Sequence, residues 1–224
     1  MKKLDAHKYG LILFDVDGVI LDSLQAHVFY FNTKVRELCP NIGLITRKQV
    51  KHTSRKNITP FYNFIKALGF PNEYIEDIIE DYKKNFSSFY SIKPSDEVRL
   101  ILYTLSEYYS LGYLTSNYKA NISKQILSID HLFDLRFKFC LEDLIDGSKA
   151  KTIDNIISCS AFDTEDILYI GDQLSDWEAA KSNPGVDFIG ITSGYGLDFN
   201  FEYPFITRIH LQDLFYNDFN FILE

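Results

Sequence analysis

The sequence predicts an α/β fold, a doubly wound and mainly parallel sheet with a block of helices inserted after its first strand. Three observations predict it. A short apolar run, "YGLILF" at 9–14, stops at charge and glycine, as a strand buried on both faces does. Between 24 and 90, apolar residues recur at spacings of three and four, the period of helices packed on one side. From Pro94 onward strand-like and helix-like segments alternate, and such alternation builds parallel sheets covered by helices on both faces.

In chain order, "LQAHVFYFNTKVREL" (24–38), "TPFYNFIKALGF" (59–70) and "NEYIEDIIEDYKKNFSSFY" (72–90) are the inserted helices. The "GFPNE" stretch separates the last two. "SDEVRLILYTLSEYY" (95–109) is a helix leading into the strand "LGYLTSN" (111–117). The helix "KANISKQILSI" (119–129), the strand "RFKFCL" (136–141) and the helix "SKAKTIDNIISC" (148–159) follow. The strand "DILYIGD" (166–172), the helix "DWEAAKS" (176–182) and the strand "VDFIGIT" (186–192) complete the alternation. The expected division is a catalytic core of 1–23 with 91–224, and a helical unit of 24–90.

Composition narrows the classes of function. The chain has 224 residues, enough for a sizeable core, and a formal net charge of -8. That charge argues against nucleic acid or an anionic membrane as the main partner. Cys39, Cys140 and Cys159 form no CxxC pair, so neither a disulfide framework nor a zinc site is expected. "MKKLDAHKYG" carries no apolar stretch of signal-peptide type behind it, and no run is long enough to span a membrane. The expectation is a cytoplasmic protein, as a monomer or homodimer.

The chemistry gathers at strand ends. Asp15 and Asp17 follow the first strand, and residues i and i+2 of an extended segment point the same way. Two such carboxylates repel unless a cation lies between them or one holds a proton, and a hard cation such as Mg2+ takes oxygen ligands. The second strand ends in Thr115, Ser116 and Asn117, a set of neutral hydrogen-bonding groups. Lys149 opens the helix after the third strand. Asp172 ends the fourth strand, with Asp176 one helical turn later. Open parallel sheets bind ligands at the carboxyl ends of their strands. Carboxylates, hydroxyls and an ammonium at one edge suit a phosphoryl group with a metal ion. Taken singly, each piece has a plainer reading: a solvated turn, a surface charge, or a helix cap.

The segments "FDVDGVILDS", "LTSN", "SKAK" and "YIGDQLSDWEAA" resemble the four motifs of the haloacid dehalogenase superfamily of phosphohydrolases. The helical block resembles the cap of its phosphoglycolate phosphatase-like and beta-phosphoglucomutase-like branches. The resemblance implies a Rossmann-like core under a mobile cap and a Mg2+-dependent phosphatase acting on a small phosphorylated metabolite. By the same resemblance Asp15 is the nucleophile that forms an aspartyl-phosphate, and Asp17 the general acid and then base. Thr115 and Lys149 bind the phosphoryl oxygens, with Ser116 and Asn117 helping. Asp15, the carbonyl of Asp17 and Asp172 hold the metal, and Asp176 ligates it or orients its waters. The family often places proline after the third-motif lysine, whereas "SKAKTI" leaves Lys151 a rival of Lys149. His27 and Arg55, the latter in the basic cluster "VKHTSRKN" (50–57), resemble substrate-recognition positions of that branch. A phosphosugar mutase and a non-catalytic phospho-acceptor module are the alternatives. The second carboxylate of "DVD" and the inserted helices speak against the latter.

Overall fold

The computed structural model describes residues 6–56, 60–198 and 203–219. Six strands form one sheet in the order β3-β2-β1-β4-β5-β6, and every neighbouring pair is parallel. They are β1 (Leu11–Phe14), β2 (Ser110–Leu114), β3 (Lys138–Phe139), β4 (Ile167–Gly171), β5 (Asp187–Ile191) and β6 (Ile206–Arg208). β1 is central and wholly buried, with Leu13 in register with both Gly112 of β2 and Tyr169 of β4. Its apolar run without polar alternation follows from burial on both faces. Side chains still alternate: Ile12, Phe14, Ile170 and Ile189 enter one core, while Leu11, Leu13, Ile167 and Tyr169 enter the other.

The helices are α1 (Leu24–Leu38), α2 (Arg47–Ser54), α3 (Phe61–Ala67), α4 (Asn72–Phe89), α5 (Asp96–Ser106), α6 (Lys119–Gln125), α7 (Lys149–Cys159), α8 (Leu174–Lys181) and α9 (Leu211–Asp218). α1 to α4 enclose an apolar cluster built on Phe31, Ile65, Ile75 and Phe86, which Tyr195 from the loop after β5 joins. α1 matches its expected bounds. The expected strand at 111–117 ends at Leu114, so Thr115 to Asn117 lie in the loop beyond it. The expected strand at 136–141 keeps two residues, because Asp134 accepts from Arg136 N–H and starts a short 3-10 turn over Leu135–Phe137.

The basic cluster at 50–57 falls within none of the expected helices, yet its first five residues belong to helix α2. Thr46 and Gln49 form a capping box at its start, so T-x-x-Q was a readable helix signal. Asn57, the last residue of that cluster, and Thr59, the first of the expected second helix, lie outside the described residues. β6 and α9 have no counterpart in the expected elements.

Because all strands run one way, the loops after β1, β2, β4 and β5 open on the same edge. Close strand packing depends on Gly112. A Cβ there would stand 2.6 Å from Phe137 Cβ and 2.7 Å from its carbonyl oxygen. Gly112→Ala is therefore expected to lower stability by about 1–3 kcal/mol in urea unfolding, the usual cost of overpacking. Gly43, with nothing within 4 Å of its Cβ position, is the control and should change by less than about 0.5 kcal/mol. A neutral Gly112→Ala would contradict the register of β2 against Phe137.

Candidate active site

The loop after β1 is wound tightly, with the N–H groups of Ile20 and Leu21 both donating to the Val16 carbonyl. Gly18 adopts φ +87° at its bend. Asp15 stays tied to the sheet through its N–H to the Ile170 carbonyl at 2.8 Å, and its side chain is buried. Its Oδ1 accepts from Val16 N–H at 2.8 Å and stands 3.2 Å from Lys149 Nζ. Among the described residues, nothing donates to Oδ2.

Lys149, the first residue of α7, reaches under the sheet edge to bridge two acids. Its Nζ is 2.7 Å from Asp176 Oδ1 and 3.1 Å from the Tyr169 hydroxyl. Lys151 instead pairs with Asp146 on the surface at 2.7 Å. Asp176 is fully engaged. Oδ1 accepts from Lys149 and from Tyr169 at 2.8 Å, and Oδ2 accepts the N–H groups of Asp172 and Gln173 at 3.2 and 3.0 Å. A Cβ at residue 171 would lie 2.7 Å from Asp176 Cγ, so the glycine is what lets β4 run into this turn.

Asp172 is differently placed. Its Oδ2 accepts from the Tyr195 N–H, while its Oδ1 is buried with no hydrogen-bond partner among the described residues. The backbones of Gly18 and Gly194 close over it, and a Cβ at either would overlap its carboxylate. Oxygens of Asp15, Asp172 and Asp176 all lie within 4.8 Å of one another. An orphaned buried carboxylate oxygen in an all-oxygen donor set fits a hard divalent cation.

Asp17 stands across from this cluster, half-buried. Ser23 Oγ donates to its Oδ1 at 2.5 Å and Asn117 Nδ2 to its Oδ2 at 2.7 Å. Thr115 is buried beside them, with its hydroxyl oxygen accepting from Asn117 N–H at 3.2 Å, and Ser116 is exposed at the loop tip.

Residues 12–191 match the family model of haloacid dehalogenase-like hydrolases. The chain belongs to that family. Haloacid dehalogenase-like architecture recurs in solved structures. A hydrolase of this family from Streptococcus pneumoniae is 21% identical, with 93% of this chain and 98% of that chain covered and a TM-score of 0.73. CbbY from Rhodobacter sphaeroides, in complex with phosphate, is 15% identical over 92% and 96%, with a TM-score of 0.71. A predicted phosphoglycolate phosphatase from Haemophilus somnus is 18% identical over 93% and 97%, with a TM-score of 0.65. At these identities the likeness is one of fold. No curated protein matches the chain.

Within this haloacid dehalogenase-like site, Asp15, Asp17, Thr115, Asn117, Lys149, Asp172 and Asp176 gather at one edge. His27 and Arg55 do not present free groups to it. His27 is buried against Phe31, Tyr82, Phe86 and Tyr195. Arg55 donates to the Gly196 carbonyl at 3.1 Å and to Asp198 at 2.8 Å. The basic cluster is divided: His52 and Lys56 join Lys48 along a groove of about 380 Å3 against Ala67 and Leu68. Lys51 faces the other way. Burial, with Arg47 and Arg55 nearby, holds its ammonium below the ordinary lysine value, against the pull of Asp172 and Asp198. Ser23, Tyr169 and Tyr195 escaped the sequence reading. Ser23 lies six residues after Asp17, while single tyrosines leave no periodic signal.

Burial pushes the Asp15 carboxyl up to about 7, Lys149 opposing and Asp176 and Asp17 reinforcing it. Burial, with Asp15 and Asp176, also raises Asp172 well above the carboxylate range. For Lys149 burial alone would lower the value, but Asp15 and Asp176 outweigh it and hold the ammonium charged. An acid raised on folding keeps its proton when the unfolded chain, with a value of about 4, has lost it. With chelator present, the stability of the parent relative to Asp15→Asn should therefore fall as pH rises from about 4 to about 7, then stay level. Urea unfolding of both proteins at several pH values measures this. A difference independent of pH would mean that burial does not penalise the ionised Asp15.

Proposed function

We propose that this chain is a Mg2+-dependent phosphatase that hydrolyses a small phosphorylated metabolite through an aspartyl-phosphate on Asp15. The observation carrying the proposal is the pairing of two acids with opposite settings. Asp15 is buried beside Lys149 and a cation-suited cluster, with Oδ2 clear of donors. Asp17 is held by neutral donors on the other side of the site.

In this reading Asp15 Oδ2 attacks phosphorus and the ester oxygen leaves, taking a proton from Asp17. Asp17, now ionised, takes a proton from the water that attacks the aspartyl-phosphate. Phosphate leaves and Asp15 is regenerated. Lys149 offers its ammonium to the phosphoryl oxygens while keeping Asp15 and Asp176 apart in charge. Thr115 and the N–H groups near Ser116 and Asn117 donate to the same oxygens. Asp15, Asp172 and the Asp17 carbonyl would hold Mg2+. Asp176, whose oxygens are already engaged, would orient this set. A bound Mg2+ would neutralise charge on the attacking carboxylate and on the phosphoryl group.

α1 to α4 act as the cap. Lys51, within electrostatic reach of Asp172, brings positive charge toward the site from α2, which suits an anionic substrate. The phosphosugar mutase alternative is disfavoured by His27 and Arg55, both engaged within the protein.

A panel of phosphorylated metabolites, scored for released phosphate and for isomerised product, tests the assignment. Phosphate release is expected. Isomerised product without release would replace the phosphatase by a mutase. Chelation by EDTA should abolish turnover and Mg2+ restore it. Ca2+ should fail, because its longer and looser coordination misplaces the attacking carboxylate. Asp15→Asn should leave the fold intact and remove activity, a loss of at least about 1,000-fold in kcat. Activity within a few-fold of the parent would end the assignment of Asp15.

A further inference from the structure

Asp17 is one member of a closed circuit of hydrogen bonds that also includes Ser23, Tyr195, His27, Tyr82 and Asn117. Ser23 Oγ lies 2.5 Å from Asp17 Oδ1 and 2.8 Å from the Tyr195 hydroxyl. That hydroxyl lies 2.6 Å from His27 Nδ1, and His27 Nε2 lies 2.7 Å from the Tyr82 hydroxyl. Tyr82 donates to Asn117 Oδ1 at 3.3 Å, and Asn117 Nδ2 returns to Asp17 Oδ2 at 2.7 Å. His27 and Tyr82 belong to α1 and α4 of the cap. Asp17, Asn117 and Tyr195 belong to the core loops.

One backbone group sets the direction of the circuit. His27 Nδ1 also faces the Ser23 carbonyl at 3.0 Å, and a carbonyl can only accept. Nδ1 therefore carries the proton, and Nε2 of the neutral ring accepts from Tyr82. Burial lowers the imidazole's value, which keeps the ring neutral. The one Nδ1–H is shared between the Ser23 carbonyl at 3.0 Å and the nearer Tyr195 oxygen at 2.6 Å, so the Tyr195 hydroxyl is free to donate to Ser23. Ser23 then donates to Asp17. Tyr82 shares its proton between His27 and the more distant Asn117. Each donor is polarised by the one behind it, so the chain ends on Asp17 as a strengthened, oriented bond.

We propose that Tyr82, His27, Tyr195 and Ser23 form a directed donor chain that fixes the carboxyl plane of Asp17, with Tyr82 and Tyr195 as positioning residues of the reaction. The proposal rests on Asp17 being the acid and base of the phosphatase described above. Ser23 and Asn117 hold one oxygen each, from opposite sides, so the carboxyl cannot rotate while the circuit is closed. Two members come from the cap, so the acid is oriented only when cap and core are seated together. The aromatic stacking of His27 on Tyr82 and Phe86, with centroids 5.7 and 4.5 Å apart, holds the ring where the chain needs it.

Tyr195→Phe and Tyr82→Phe remove one hydroxyl and keep the ring. An alkyl phosphate needs its leaving oxygen protonated, whereas nitrophenyl phosphate does not. Each variant should lower kcat for the alkyl ester roughly tenfold, lower kcat for the nitrophenyl ester about twofold, and leave KM nearly unchanged. On an Asp17→Asn background, Tyr195→Phe should add no further loss. Ser23→Ala should behave like Tyr195→Phe, with Ser23→Thr restoring most of the rate. Equal losses on both esters, a change confined to KM, or full additivity with Asp17→Asn would reduce the tyrosines to packing. A parent that cleaved neither ester would refute the phosphatase reading and the positioning role with it. The chain itself is then judged by the His27 ring nitrogens in 15N NMR. A fixed Nδ1–H tautomer that both Phe variants disturb supports it, and an averaged tautomer overturns it.

Discussion

Three buried carboxylates share one ammonium. Asp15, Asp172 and Asp176 crowd within 4.8 Å around the reach of Lys149, and one lysine cannot balance three acids. The protein resolves part of the imbalance locally. Asp176 is satisfied by Lys149, Tyr169 and two backbone N–H groups, which makes it a fixed brace. Asp15 and Asp172 are left with raised proton affinity, and Asp172 Oδ1 is buried with no hydrogen-bond partner among the described residues. In the proposed mechanism a cation held by these carboxylates would remove the penalty and leave Asp15 ionised. In that proposal the energetic fault of the folded chain would become the basis of its chemistry.

Much of the fold can be read as the frame that holds this cluster together. A wholly parallel sheet sends every strand's carboxyl end to one edge, so β1 and β4 deliver Asp15 and Asp172 side by side. Gly18 and Gly194 let backbone close over Asp172 where any side chain would collide with it. The loop after β5 wraps the same residue, with the N–H groups of Gly196 and Leu197 on its carbonyl at 3.2 and 2.8 Å. That loop also receives Arg55 from α2 and carries Tyr195 into the circuit around Asp17. The helices above the sheet are therefore coupled to both acids, to Asp172 through the β5 loop and to Asp17 through His27 and Tyr82.

The sequence made the catalytic edge legible because its signals are local. Apolar strands stopped by charge locate Asp15 and Asp172, and the four-residue step from Asp172 to Asp176 survives as a helix start. Lys149 over Lys151 was open on spacing alone. The structure distinguishes them by reach, one ammonium entering the acid cluster and the other pairing with Asp146 outside it. α2 carries four basic residues, Arg47, Lys48, Lys51 and His52, and their charge masks the capping box at Thr46 and Gln49. β6 and α9 are short elements tied to each other by the Arg208–Asp218 ion pair at 2.6 Å, which no periodicity announces. The circuit around Asp17 is invisible in the sequence because its members are far apart in it. Tyr82 and Tyr195 lie 113 residues apart, and only folding brings their hydroxyls to one histidine.

In the proposed mechanism the phosphoryl group passes through Asp15, and the intermediate can be trapped. Asp17→Asn lacks the base for the second step, so nitrophenyl phosphate with Mg2+ should load its Asp15 faster than water can unload it. Rapid acid quench followed by peptide mass spectrometry should find one phosphoryl group on the peptide containing Asp15, formed in step with released nitrophenolate. Nitrophenolate released at the same rate with no phosphoryl group on that peptide would contradict the account.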